Sequence, residues 1–115
     1  LTLSKALAIG SLCLVITGLY PQKVWASVFN NQDFLDMPPL QQNLFLKGAM
    51  ETLGQVAAFK NKETGQCVYD WYFSDKMSER NWLILESMKK YPDHTPTAIL
   101  IALTQRTCGV YLEVM

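Results

Sequence analysis

Along this chain apolar positions fall repeatedly at the three-and-four spacing of a helix face, and the segments that carry them are separated by polar turns punctuated with proline. The clearest run is LQQNLFLKGAMETLGQVAAF. Phe45, Ala49, Leu53, Val56 and Ala57 share one face with Leu46 and Met50 beside them, which predicts a long helix over Pro39 to Phe59. Gly48 and Gly54 fall inside it, and each costs up to about 1 kcal/mol relative to Ala, so close packing of a second helix is expected there. Upstream, NNQDFLDMPP reads as a short helical turn in which Asn31 or Asp33 accepts first-turn amide hydrogens. Phe34, Leu35 and Met37 give this turn its apolar face, Pro38 and Pro39 stop it, and Pro39 also suits the first position of the long helix.

Further on, KNKETGQ reads as a polar turn ending at Cys67, and the local structure of Val68 to Met77 is left open by its pattern. Ser78 is the expected cap of a third helix, ERNWLILESMKKY, with Ile84, Leu85, Met88 and Tyr91 on the buried side. Lys89 and Lys90 then lie favourably near its negative C-terminal end, and Pro92 ends it. Thr95 is a good N-cap with Pro96 at the first helical position. From there Ala98, Ile99, Ala102, Leu103 and the stem of Arg106 carry a fourth helix to Cys108, where Gly109 can take the left-handed capping conformation. The tail GVYLEVM is expected to pack through Val110 and Leu112. The fold expected is all-α, a small bundle of about four helices.

Residues 1–26 have a different character. LTLSKALAIGSLCLVITGLYPQKVWA has a positive start at Lys5, an uncharged apolar stretch from Ala6 to Tyr20 that includes Cys13, and small side chains at Val24 and Ala26, the layout of a secretory signal cleaved before Ser27. An uncleaved membrane anchor is the rival, but a span needs about 20 apolar residues, and this run is shorter and broken at Pro21. Cleavage leaves one small helical domain, 27–115, periplasmic or secreted, with no membrane span. That segment holds all 10 acidic residues and all of the 10 basic ones except Lys5 and Lys23, a formal charge of −2. Such a balance argues against nucleic acid, whose binding rests on a positive surface.

Two cysteines remain, Cys67 and Cys108, and an even number in an exported chain predicts a disulfide. A free reactive thiol is the other use of such a residue, and His94 is the single histidine available to activate it. A core of this size is only marginally stabilising by itself, which favours the disulfide. No catalytic pattern stands out, so no enzyme activity is expected, and neither a cofactor nor a metal. Asp93 and His94 lie in a proline turn suited to solvated or capping roles, and Glu51, Glu79 and Glu86 occupy ordinary helix-surface positions. The stretch least explained by folding is YDWYF. Tyr69, Trp71, Tyr72 and Phe73 either close the core beside the disulfide or anchor an interface, and two rings inward with two outward satisfies both. The partner expected is a protein, a toxin or other cell-envelope component, with a homodimer also open.

The order of features, DFLDM, a helix with FLKGAM, a loop into GQC, a helix running to YPDHTP, then AILIALTQRTCG, resembles the small exported immunity proteins of type VI secretion amidase systems, the Rap/Tai group, over about Asp33 to Gly109. The resemblance implies a non-catalytic binding protein that inhibits a cell-wall amidase toxin. A second resemblance, in length, helical character, export and a single disulfide, is to the HdeA-like periplasmic acid-stress chaperones. It implies a domain that opens when its carboxylates are protonated.

Overall fold

The computed structural model describes residues 28–113, so the leader read over residues 1–26 lies outside the described residues. Among these there are five helices and no strand: α1 (Asn31–Leu35), α2 (Pro39–Lys60), α3 (Lys62–Tyr72), α4 (Met77–Lys90) and α5 (Pro96–Cys108). The fold is all-α, with one helix more than the sequence pattern predicts. None of the helices is long and apolar enough to cross a membrane.

The cap of α1 is Asn30, one residue ahead of the expected Asn31. Asp33 N donates to Asn30 Oδ1 at 2.9 Å while Asn30 N donates to Asp33 Oδ2 at 3.0 Å, a reciprocal box that satisfies two otherwise free amides. Helix α2 begins at Pro39 as expected and buries Leu46, Met50, Leu53, Gly54 and Ala57. Phe45, Ala49 and Val56 are only half-buried, so the inner face is rotated from the predicted one toward Leu46 and Met50.

The expected polar turn KNKETGQ is instead the start of α3. A single residue, Asn61, separates α2 from α3, with extended backbone at φ −160° and ψ 154°. Its amide donates to Ala57 O, closing α2, while its Oδ1 accepts from Thr64 N at 2.7 Å and Thr64 Oγ1 at 2.8 Å, opening α3. The two helices fold back on each other at this corner, close enough that a Cβ on Gly65 would lie 2.5 Å from Ala58 Cβ and one on Gly54 3.4 Å from Tyr69 Cβ. Close packing explains Gly54 as expected. It does not explain Gly48, where a Cβ would meet nothing within 4 Å.

Helix α4 starts at Met77, so Ser78 lies in its first turn and does not cap it; Lys76 holds that position without a side-chain hydrogen bond. Ile84 and Met88 are fully buried as predicted, Leu85 partly, and Tyr91 is exposed. Thr95 caps α5, its Oγ1 accepting from Ala98 N at 3.3 Å. The inner face of α5 is Ile99, Leu100, Leu103 and Thr104, which leaves Ala98 and Ala102 outside. Gly109 has the expected positive φ of 87° but an extended ψ of 165°, so the chain leaves the helix instead of curling under it. Tyr111, not Val110, then enters the core. Its hydroxyl lies 2.7 Å from Thr104 Oγ1, and Gln105 Oε1 accepts from Tyr111 N and Leu112 N.

Cys67, in the middle of α3, is bonded to Cys108, the last residue of α5, with Cα atoms 5.8 Å apart and a sequence separation of 41. A loop of that length removes roughly 4 kcal/mol of unfolded-state entropy in the chain-entropy model, comparable to the whole stability of a small domain.

Candidate functional site

The turn that joins α4 to α5 is held from outside by α1. The first amides of a helix have no partner within it, and those of α1 end on this turn: Asn31 N donates to His94 O at 2.8 Å and Gln32 N to Pro92 O at 3.2 Å. The buried Asn31 side chain adds a third bond, Nδ2 to Tyr91 O at 2.8 Å. Fixed in this way, the turn presents Tyr91 and His94 with their rings edge to face, 5.3 Å between centroids.

Below these rings a groove of about 290 Å³ runs between α4 and α5. Ala98, Ile99, Ala102 and Leu103 make its apolar floor, while Ser87, Tyr91, His94 and Arg106 stand around it. No acidic side chain lines it. Arg106 is exposed, and the ion pair found among the described residues joins Lys89 to Glu86 instead. Ser87 Oγ donates to Leu83 O at 2.8 Å, so its proton is engaged with the backbone of its own helix. The arrangement suits an apolar side chain seated beside a carboxylate that Arg106 can meet.

On the other side of α5 a hollow of about 310 Å³ is walled by Leu44, Phe45, Ala49 and Leu53 of α2 and closed by Thr97, with Gly48 and Thr52 on its edge. Among the described residues no three His, Cys, Asp or Glu side chains gather as metal ligands. Asp93 and His94 are both exposed in the proline turn, and Glu51 and Glu79 are exposed on helix surfaces.

The aromatic run divides between inside and outside. Because α3 continues through Tyr72, consecutive residues are turned about 100° from each other, and Trp71 (5 % exposed) and Tyr72 (1 % exposed) join the core with Val68. Of the two roles the sequence leaves open for the run, these two rings take the one inside the core, not that of exposed anchors. Arg80 lies over the Trp71 ring at 4.7 Å and its Nε donates to Trp71 O, and Tyr72 donates its hydroxyl to Asn81 Oδ1 at 2.7 Å. Tyr69 (42 % exposed) and the half-buried Phe73, one turn apart, stack at 4.5 Å on the outer side. Burial holds the phenols of Tyr72 and Tyr111 above the ordinary tyrosine range.

Sequence patterning passed over several surface residues. Leu40 and Leu44 sit on the outer side of α2, Phe59 is 90 % exposed near its end, and Trp82 stands out from α4. Each lies inside a helix whose opposite face is buried, so a periodicity that locates the core does not mark it. Comparisons with protein-family models, curated proteins and solved structures find no match for this chain.

Proposed function

We propose that this chain is an exported, non-catalytic binding domain of the immunity type, which blocks a cell-wall amidase toxin by docking on it through the α4–α5 groove. The observation that carries this reading is the groove itself: an apolar floor, an exposed Arg106 beside it, and a rim that α1 locks in position. A preformed hollow of this kind loses little entropy when a partner side chain enters. The disulfide supports a site of action in an oxidising compartment outside the cytoplasm, and the resemblance of the leader to a secretory signal points the same way. The order DFLDM, FLKGAM, GQC, YPDHTP and AILIALTQRTCG supports the immunity class.

The test uses the product of the gene adjacent to this one, expected to be a cell-wall amidase, in titration calorimetry and a peptidoglycan hydrolysis assay. The purified chain should bind it and abolish hydrolysis at an equimolar ratio. Ala102→Arg and Arg106→Glu, both at exposed positions, should each weaken binding by at least about 2 kcal/mol, as loss of an interface hot spot does, with helical content unchanged. Absence of binding, or binding indifferent to both substitutions, rejects the reading.

A further inference from the structure

Helix α5 turns an almost uncharged face to solvent. Of its 13 residues Arg106 alone is charged, whereas α4 beside it carries Glu79, Arg80, Glu86, Lys89 and Lys90. Thr97, Ala98 and Ala102 are exposed, and Ile101 and Gln105 are half-buried. Ala98, Ala102 and Arg106 are spaced four apart and so share one row along the helix, with Thr97, Ile101 and Gln105 in the next. The first row is low, because two of its side chains are single methyl groups, and it has a furrow on either side. Toward α4 lies the groove already described. On the other side a second hollow, of about 400 Å³, is lined by Thr97, Ile101 and Gln105 together with Ala98, Ala102 and Thr95.

The walls of these furrows restrict what can fill them. The backbone of α5 is closed on itself from the Thr95 cap to Gly109, whose amide donates to Gln105 O, and α4 is helical from Met77 to Lys90. Ser87 Oγ donates to Leu83 O, and Gln105 Oε1 accepts from Tyr111 N and Leu112 N. An extended segment laid here would bury its own N–H and C=O groups without partners, a cost that buried backbone rarely bears. A helix has satisfied those groups internally, and it packs by seating its ridges between rows of this spacing. Ala98 and Ala102 at the contact let two helix axes approach to about 8 Å. Arg106 stands at the end of the row, with no acidic side chain lining the groove beside it. A helix antiparallel to α5 brings its first turn there, where the positive end of its own dipole favours acidic residues.

Building on the binding role argued above, we propose that the part of the partner received by α5 is an amphipathic helix, laid antiparallel along the Ala98–Ala102 row. Its apolar side chains fill both furrows, and a carboxylate of its first turn meets Arg106. Residues 1–27 are not that occupant, since they contain no Asp or Glu and bring Lys5 and Lys23. A second copy is no better suited: α1, α3 and α4 have an acid in the first turn but bury their apolar faces, and α2, with Leu40 and Leu44 exposed, has none.

The product of the adjacent gene is the probe, in titration calorimetry with the purified chain. Thr97 lines the second hollow and not the α4–α5 groove, so Thr97→Glu separates a helix across both furrows from a single side chain in the groove. It should weaken binding at least about tenfold, with circular dichroism and melting temperature unchanged, since an acid is at home in the first turn of α5. Arg106→Glu should lose at least as much. When acidic residues in the first turns of the partner's helices are changed to Lys one at a time, one of them should restore about tenfold or more of what Arg106→Glu lost. Wild-type binding that Thr97→Glu leaves intact, or a loss at Arg106 that no reversal restores, overturns the helix and leaves the groove reading standing. Absence of any binding takes both down. Self-association of the chain alone, by sedimentation equilibrium over about 1 to 500 µM, through a contact that Thr97→Glu breaks would put a second copy in this place and overturn the proposal.

Discussion

Gly65 faces Ala58 across the α2–α3 crossing, where an added Cβ would lie 2.5 Å from Ala58 Cβ and 2.8 Å from Ala58 N. Backbone atoms cannot move aside as a side-chain tip can, so Gly65→Ala should destabilise the fold by about 3 kcal/mol, at the upper end of overpacking costs. At Gly54 the corresponding contact is 3.4 Å from Tyr69 Cβ, an ordinary van der Waals distance, and Gly54→Ala should cost far less. Urea unfolding of the two variants checks the contrast. Tyr72 and Tyr111 make a second prediction at this scale. Burial raises both phenols above the ordinary range, so at alkaline pH the unfolded chain releases protons that the folded chain retains. Their contribution to stability is therefore full below about pH 10 and is lost as pH climbs above it. Tyr72→Phe and Tyr111→Phe should each flatten that alkaline decline, measured by denaturant midpoints between about pH 8 and 11.

Helix α5 and helix α3 show what local pattern does and does not convey. Thr95 and Pro96 are start signals that act within one turn, and α5 begins where they indicate; Pro39 does the same for α2. The buried side of α5 was harder to read, because Ala98, Ala102, Ile99, Leu100 and Leu103 form two overlapping apolar stripes. The choice between them is made by Thr104, a polar residue satisfied inside the core by Leu100 O and by Tyr111 from the tail. For α3 the obstacle was Gly65. Locally it argues for a turn, while the closeness of Ala58, across the corner, demands it within a helix. The three-and-four spacing of Gly65, Val68 and Tyr72 was the available signal. The α4–α5 groove was not legible, because the bond that fixes its rim, Asn31 Nδ2 to Tyr91 O, joins residues 60 apart in sequence. Arg106 was read only for the packing of its stem. In the aromatic run, helical phase decides which rings turn inward, and that phase was the part left open.

At the scale of the whole molecule the Cys67–Cys108 bond joins the middle of the chain to the end of its last helix. Removing roughly 4 kcal/mol from a domain of this size should lower its thermal midpoint by about 15 °C or more, measured by calorimetry with and without reductant. A midpoint that reductant leaves unchanged would show that packing alone suffices. The bond also makes a covalent ring that contains the second half of α3 and all of α4 and α5, together with the exposed proline turn between the last two, while α1 and α2 lie outside it. A protease that cuts that turn therefore opens the ring without dividing the molecule. The two pieces migrate as one on a non-reducing gel and part only when the sulfurs are reduced. In surroundings rich in proteases, a domain nicked there keeps both walls of its groove on a single molecule.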